Sequence, residues 1–329
     1  MSTGEEIVGV NPKVNNLVRP YTQAKYDILW ILDSNVHVTH GTLARAVDAL
    51  DPPEGSFTSP KRRIGLVHHV PLAFSTENVF GARIEEAFLN TNHAKMYLAI
   101  NTIAIESCVI GKSNMYRRSD VDRLTGTLRP VSPSSLSLLP PEQRGLAAFG
   151  RFLAEDNMIA AALWHELGLR HDLSCDVSRN AIGDMDFPTY VWRRVRWIRV
   201  RKRMVFTATL VEPFTESVLV GVAAAWAVHF LTRFPGWLFF LIHMGLWFSV
   251  DLDVCAKLSG DPLPSSRRWP FLQAWACREL LALPVWIVGM VGNKVSWRGQ
   301  NYRVMRNGEV RRADEGSTWH RWIRLTPSR

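Results

Sequence analysis

Hydrophobic and polar positions in the first part of the chain alternate between the spacing of strands and the spacing of helices. Apolar runs of strand length occupy Tyr26–Asn35 and Ile64–Pro71, and helix-like runs follow them at Thr42–Leu50 and Glu77–Asn90. Strands that alternate with helices are typical of an α/β domain, in which helices cover a central sheet. The pattern therefore predicts an α/β fold for this part of the chain.

A basic helix is predicted at Val191–Met204, which holds seven Lys or Arg residues and no acid. Val191, Val195 and Ile198 recur at the three- and four-residue spacing of one helix face. This helix closes the α/β domain, which we assign to residues 1–204. Two interpretations of its charge remain open: the cations lie among anionic lipid headgroups, or some of them bind the phosphates of a substrate.

Two uncharged apolar runs follow the basic helix, at Ser217–Thr232 and Phe234–Val250, with Arg233 between them. At about 1.5 Å per helical residue they reach about 24 and 26 Å, close to the hydrocarbon thickness of a thin bilayer. They predict a membrane-spanning helical hairpin within residues 205–292.

A third apolar region, Trp269–Gly292, is interrupted by Arg278 and Glu279. Because the basic helix and the basic tail at 293–329 are both expected in the cytosol, an even number of crossings must separate them. Two spans plus a re-entrant or interfacial third segment satisfy this count, and three spans are the alternative. The two charges should then face protein or headgroups, since a charge in lipid is costly. The tail predicts a two-stranded hairpin over Val295–Val310 with an Asn-Gly turn.

The composition favours a membrane protein over a nucleic-acid-binding protein. The chain has 329 residues and a formal net charge of +9, and its basic residues concentrate on either side of the apolar region. Such flanks are typical of cytosolic segments beside a membrane, and no motif of RNA or DNA recognition accompanies them. The four cysteines have no paired spacing, which predicts reduced thiols. We therefore expect membrane lipids, and no nucleic acid, among the partners.

Acidic residues at two positions are candidates for chemistry. Asp33 follows the first predicted strand, and ligands of open α/β sheets lie beyond the carboxyl ends of strands, where a phosphate-bound metal needs an oxygen ligand. A simple turn residue is the alternative. Glu155 and Asp156 begin an apolar helix, where they are either favourable charges at its positive end or include a base. Because neighbouring side chains diverge on a helix, only one should face a shared site.

Basic and aromatic residues supply the other candidates. Arg193, Arg196 and Trp197 form an Arg-x-x-Arg-Trp sequence, which places two guanidinium groups one helical turn apart beside an aromatic plane. Guanidinium groups bind phosphate oxygens in pairs, and this order matches a signature of membrane-bound glycosyltransferases. His68 lies at a strand end and either contacts a ligand or is structural. Gly111 would let the backbone approach a ligand closely.

The order of these motifs, from about Gly9 to Arg306, resembles that of the ceramide glucosyltransferases, a family of inverting enzymes with a GT-A fold. The matching segments in chain order are Asn11–Leu17, Lys25–Asp27 with Asp33-Ser34, Gly65–His68, Ala154–Asp156, Arg193 with Arg196-Trp197, and Ser296–Arg298. The resemblance implies a GT-A glycosyltransferase domain, with a mixed sheet and flanking helices, followed by a membrane-embedded helical region.

The resemblance also implies a role for each candidate. Asp156 matches the general base, which takes the proton from the acceptor hydroxyl. Asp33 matches an acid that helps to hold a divalent cation, magnesium or manganese, on the UDP pyrophosphate. Arg193, Arg196 and Trp197 match the signature that closes over the diphosphate and stabilises its departing charge.

The remaining implications concern the nucleotide and the reaction. His68 matches a histidine near the nucleotide, whereas Asn35 stands where many GT-A enzymes carry a second acid, so the metal would depend largely on Asp33. The implied reaction transfers glucose from UDP-glucose to ceramide at the cytosolic face of a Golgi or endoplasmic reticulum membrane. Such a site suits a soluble donor and an acceptor that resides in the bilayer.

The chain also differs from the family pattern. Family members carry a membrane anchor and an acid-bearing first part of the sheet before the segment that matches Asn11–Leu17, so we expect an amino-terminally incomplete catalytic domain. Asp51–Arg63 and Leu128–Gly145 exceed the family's connections and are expected to be insertions. Two other functions remain open: a processive membrane polysaccharide synthase, which shares the Arg-Trp signature, and a catalytically inactive membrane interaction protein.

Overall fold

The computed structural model describes residues 6–52, 63–104 and 108–313 of the chain. Most of the insertion expected at Asp51–Arg63 and the end of the predicted tail lie outside the described residues. Within them the predicted class is confirmed, because a mixed sheet with flanking helices is followed by long apolar helices.

Two sheets lie among the described residues. Their strands are β1 (Ile28–Leu32), β2 (Val36–His37), β3 (Ile64–Ser75), β4 (Ser113–Arg117), β5 (Arg170–Ile182), β6 (Lys294–Trp297), β7 (Gln300–Val304) and β8 (Val310–Arg312). The central sheet has the strand order β1-β4-β3-β5-β2. β3 pairs antiparallel with β4 and parallel with β5, and it is buried over most of its length. Its apolar sequence suits this position, since a strand covered on both faces has no polar side.

Helices cover this sheet and continue beyond it. They are α1 (Pro12–Gln23), α2 (Thr42–Leu50), α3 (Phe80–Phe88), α4 (Ala94–Ile103), α5 (Arg118–Val121), α6 (Pro133–Ser137), α7 (Glu155–His165), α8 (Phe187–Met204), α9 (Phe206–Val211), α10 (Ser217–Thr232), α11 (Gly236–Ser259) and α12 (Ser265–Val291). A π-helical turn, Leu89–His93, joins α3 to α4. The short helix α6 lies within the expected insertion at Leu128–Gly145.

The basic helix predicted from the sequence is α8, and it begins four residues before the predicted start. The Asp186 carboxylate caps it by accepting a hydrogen bond from the Thr189 backbone N–H at 2.8 Å, which satisfies one of the free donors of a helix start. The predicted apolar face is confirmed, because Val195 and Ile198 are buried against Val285 of α12.

The headgroup interpretation of the basic helix is wrong for three of its seven cations. Arg194, Arg199 and Lys202 are buried in the protein. The Lys202 ammonium donates to the carbonyls of Gly289 and Met290 at 3.0 and 2.7 Å. These carbonyls end α12, where a helix has free acceptors and a partial negative charge. Lys202 therefore joins α8 to the end of α12.

The apolar helices only partly follow the predicted hairpin. By length and composition, α11 and α12 could each cross a membrane, and α9 with its following turn and α10 would form a third span, bent by 57°. α10 alone has 16 residues. The third apolar region, expected to re-enter or lie at the interface, forms one continuous helix of 27 residues although Pro270 and Pro284 lie inside it.

The charges inside α12 face protein, as the sequence predicts. Arg278 is 2% exposed, and its guanidinium pairs with Glu216 at 2.6 Å and with Glu279. Glu279 also accepts a hydrogen bond from the Ser217 hydroxyl. Because each buried charge has a partner of opposite sign or a hydrogen bond, the helix can hold both residues away from lipid.

The tail forms a three-stranded sheet rather than the predicted two-stranded hairpin. β6 pairs with β7 and β7 pairs with β8, all antiparallel. The sequence predicts the Asn307-Gly308 turn, but Gly299, with a φ of +74°, provides a second tight turn. Val295, Tyr302 and Val304 pack on Val200 of α8, so the tail sheet covers the end of the basic helix.

Candidate active site

One cavity of about 1330 Å³ lies between the central sheet, α7, α8 and the apolar helices. Five of the six predicted site residues line it: Asp33, Asp156, Arg193, Arg196 and Trp197. Its volume exceeds the ~300–1,000 Å³ of a site for one drug-sized ligand. The cavity therefore has room for a large substrate or for two substrates together.

Asp33 lies at the mouth of the sheet, directly after β1. Its backbone N–H donates to the carbonyl of Lys112, the residue before β4, at 3.2 Å. The ammonium groups of Lys13 and Lys112 lie 2.9 and 3.0 Å from its two carboxylate oxygens. Burial alone would raise the pKa of Asp33, but the two lysines outweigh it and hold the pKa below its usual value. Asp33 is therefore an ionised carboxylate between two cations.

Lys13 is a site residue that sequence reasoning missed. Asn11 caps α1 by accepting a hydrogen bond from the Lys13 backbone N–H at 2.8 Å. The Lys13 ammonium then reaches Glu155 at 3.2 Å and donates to the Gly111 carbonyl at 2.9 Å. Burial opposes its charge, but the surrounding carboxylates of Glu155 and Asp33 prevail and raise the pKa of Lys13. In the sequence, the only indication of this role was the position of Lys13 inside the matching segment Asn11–Leu17.

The two acids that begin α7 have different environments. Glu155 is buried and accepts a hydrogen bond from the Asn11 side chain at 2.7 Å. Asp156 lies over Gly111, where an added Cβ would be 2.8 Å from the Asp156 carboxylate oxygen. Gly111 therefore makes room for the carboxylate itself. Burial first, and then the charge of Glu155, raise the pKa of Asp156 to about 7.

A pKa near neutrality makes the activity of this site sensitive to pH. If Asp156 removes a proton, kcat/KM should fall about tenfold for each pH unit below about 7 and level off above it, since only the ionised form is a base. A pH–rate profile at constant ionic strength measures this limb. Glu155→Gln removes a neighbouring negative charge and should move the limb to lower pH. An unchanged limb in that variant would contradict the assignment.

The arginines of the signature lie on the side of α8 that faces the cavity. Arg193 pairs with Glu85 of α3 at 2.9 Å, and its guanidinium lies 5.2 Å from the Trp197 ring centre. Arg196, one turn further on, is partly buried and forms no ion pair with a carboxylate among the described residues. Burial, and next the charge of Arg193, lower the pKa of Arg196 to about 10. Arg196 is therefore a charged group that gains by meeting an anion.

Trp197 packs against a histidine that the sequence did not single out. His93, from the π-helical turn, lies edge-on to Trp197 at 6.2 Å and stacks on Tyr97 at 5.6 Å. Burial, and next the positive charge of Arg194, lower the pKa of His93 to about 3, so its imidazole is neutral. Trp197, His93 and Tyr97 together form the wall of the cavity beside the arginines.

His68 is the predicted site residue that does not line the cavity. It is buried in β3, and its Nδ1 lies 2.5 Å from the Tyr97 hydroxyl. Burial, and then the nearby His171, hold the pKa of His68 well below its ordinary value. In this structure His68 contacts Tyr97, which lines the cavity, but does not line the cavity itself. Its role near a nucleotide stays a prediction.

The residues around Asp33 fit a cation only in part. Across the described ranges, no group of three or more His, Cys, Asp or Glu side chains is arranged to hold a metal ion. Asn35 could add its amide oxygen, which lies 3.5 Å from the Lys112 ammonium. Magnesium in proteins is often held by one or two carboxylates together with substrate phosphates. Asp33 therefore offers an ion that arrives with a diphosphate one carboxylate, which already lies between two lysine ammonium groups.

A mixed α/β sheet lies beside long apolar helices. A carboxylate with a near-neutral pKa and two arginines one helical turn apart line the same cavity. Fold and site together define a glycosyltransferase joined to a membrane region. The chain belongs to glycosyl transferase family 21, whose model matches residues 1–132 and 141–310. The break in this match, at 133–140, falls inside the expected insertion at Leu128–Gly145.

Curated relatives support the same assignment. The chain is 39% identical to a ceramide glucosyltransferase of Komagataella phaffii, over 90% of this chain and 68% of that protein. It is 32% identical to a ceramide glucosyltransferase of Candida albicans, over 93% and 73%, and 33% identical to one of Pyricularia oryzae, over 92% and 69%. The predicted family resemblance is confirmed.

Proposed function

We propose that this protein transfers glucose from UDP-glucose to the primary hydroxyl of ceramide, with inversion at the anomeric carbon. The relatives are named for this acceptor and sugar. The observation that carries the proposal is the single cavity, which Asp156, Arg196 and residues of the apolar helix α11 line together. A soluble donor and a lipid acceptor need such a shared site at the membrane surface.

In the proposed reaction Asp156 is the general base. Its carboxylate removes the proton of the ceramide hydroxyl, whose oxygen attacks the anomeric carbon from the face opposite UDP. A pKa of about 7 suits this role, because the group is ionised in a large fraction of molecules and is basic enough to accept a proton. One attack by the acceptor, without a covalent sugar intermediate, gives inversion.

The cations of the site would bind the leaving diphosphate. Arg196 lies on α8 and has no acidic partner within the part of the chain that the structure describes, and Arg193 is held beside it by Glu85. Guanidinium groups fixed before the reaction stabilise charge that develops on the leaving oxygen. Lys112, already beside Asp33, adds a third positive charge to the same region. A divalent cation, when bound, would neutralise further charge on the diphosphate.

Removal of divalent cations should lower the rate of transfer by about tenfold or more, since charge on a departing diphosphate needs compensation. EDTA followed by addition of magnesium or manganese measures this effect. Asp33→Asn should raise the cation concentration that gives half-maximal activity, because the ion loses its carboxylate. Full activity in EDTA would contradict the proposal that Asp33 shares an ion with the substrate.

The orientation and compartment are also proposals. We place residues 1–204 and the tail at 293–329 in the cytosol, on either side of a membrane region at 205–292, in the Golgi or the endoplasmic reticulum. The buried link between α8 and the end of α12 supports this arrangement, because it holds the catalytic part and the tail on the same side.

The test of the function is transfer of radiolabelled glucose from UDP-glucose to ceramide by membranes from cells that express the protein. Labelled lipid carrying a single glucose is the expected product. A labelled polymer would favour a processive polysaccharide synthase instead. Absence of any labelled product, with donor binding and a folded protein demonstrated, would favour a membrane interaction protein.

A further inference from the structure

Apolar side chains from three helices line an arm of the candidate active site. The arm is defined by lining residues from three helices: Met96, Ala99 and Ile103 of α4, Ala208 of α9, and Leu246 and Val250 of α11. On α4 and α11 these residues recur at three- to four-residue spacing, which places them on one face of each helix. We call this part of the cavity the apolar arm.

One side of the apolar arm is exposed at the surface of the protein. Ile103, Leu246 and Val250 are 66%, 65% and 54% exposed. α11 is long and apolar enough to cross a membrane, so its exposed residues would meet lipid rather than water. A hydrocarbon chain can therefore enter the apolar arm sideways from the bilayer without passing through water.

A polar pair joins two of the helices that line the apolar arm. The Lys95 ammonium, at the start of α4, lies 2.6 Å from the Asp251 carboxylate of α11 and 4.6 Å from the Trp247 ring centre. Asp251 also accepts a hydrogen bond from the Trp275 indole at 2.8 Å. These contacts fix α4 against α11, so the width of the apolar arm is set by the fold.

We propose that the apolar arm binds one hydrocarbon chain of the acceptor lipid and thereby sets the chain length that the enzyme accepts. The inference rests on the proposed function, since it concerns the acceptor of that same reaction. Aliphatic walls suit an alkyl chain and not a growing polysaccharide, whose hydroxyl groups would lose their hydrogen bonds there. Continuity with Asp156 would hold the lipid's hydroxyl at the base while its chain stays in apolar surroundings.

Narrowing the apolar arm tests this inference. Ala99→Trp and Ala208→Trp place a large ring in the apolar arm from two different helices. The matched control is Ala223→Trp, on an exposed position of α10 that does not line the cavity. Each variant is assayed with one ceramide that has two long chains and one that has two short chains, in detergent micelles of the same composition.

Both narrowing variants should lower the ratio of long-chain to short-chain activity by about tenfold or more, since a ring in the apolar arm displaces part of a long chain and removes its apolar contacts. KM for UDP-glucose should not change, and short-chain activity shows that the variant is folded. The control should keep the wild-type ratio. Ceramides with one long and one short chain then identify the chain that enters the apolar arm.

An unchanged ratio in both narrowing variants, with wild-type transfer intact, would overturn the inference and leave the proposed function standing. The same fall in the Ala223→Trp control would overturn it too, because the effect would then not arise in the apolar arm. Wild-type membranes that glucosylate neither ceramide would overturn the proposed function and with it the inference.

Discussion

Asp156→Asn is expected to lower the rate of glucosyl transfer by about 10²–10⁴-fold, the range that a positioned general base contributes. Asparagine keeps the shape of the side chain but accepts no proton. The effect should appear in kcat, while the KM for UDP-glucose changes little, because the arginines that we propose to bind the diphosphate lie on α8 and not on α7. Single-turnover measurements with labelled UDP-glucose separate the chemical step from binding.

The stability of this variant should be close to that of the wild type. Burial and Glu155 raise the pKa of Asp156 to about 7, so the neutral carboxyl is nearly as favourable as the charged one at neutral pH. A neutral amide at this position therefore costs little. Asp184→Asn, at an exposed position, is the matched control and should keep full activity. Substantial transfer by the Asp156→Asn enzyme would mean that another group removes the proton.

Arg196→Met is expected to lower kcat by about 10²–10³-fold, the loss seen when one fixed donor to a developing charge is removed. Methionine preserves the apolar stem of the side chain and removes only the guanidinium. Burial and Arg193 lower the pKa of Arg196 to about 10, so the charge is held at some cost until an anion binds. The variant should also bind UDP less tightly, which calorimetry measures.

Arg196→Lys separates charge from geometry. Lysine restores the charge but cannot form two parallel hydrogen bonds, so it should recover only part of the lost rate. Arg179→Met, at an exposed position of β5 outside the cavity, serves as the control and should leave both kcat and UDP binding unchanged. A kcat of Arg196→Met equal to that of this control would remove Arg196 from the proposed mechanism.

Much of the site could be predicted from the sequence because its parts are local. Asp33 directly follows a strand, Asp156 begins a helix, and Arg193 and Arg196 lie one turn apart, so chain position alone fixes how each side chain is presented. The apolar face of α8 follows from the same local rules. These features are confirmed without reference to any distant part of the chain.

The partners of these residues could not be predicted in the same way. Lys13 contacts Asp33 and Glu155, and Lys112 reaches Asp33 across the sheet. Those pairs exist because β1 lies beside β4 and α1 packs near α7, which a periodic pattern does not reveal. The pKa values of Asp33 and Asp156 depend on these contacts, so the protonation chemistry of these acids could not be predicted from the sequence either.

The sequence by itself determined the class of fold, the order of the motifs and the apolar faces of the helices. The tertiary structure decided which faces meet and where the charges of α8 go. Arg199 and Lys202 are buried because carbonyls at the end of α12 and at Lys294 accept their hydrogen bonds. A sequence pattern shows that a helix has an apolar or a charged side. The acceptors that lower the free-energy cost of burying a charge come only from elements packed against that helix.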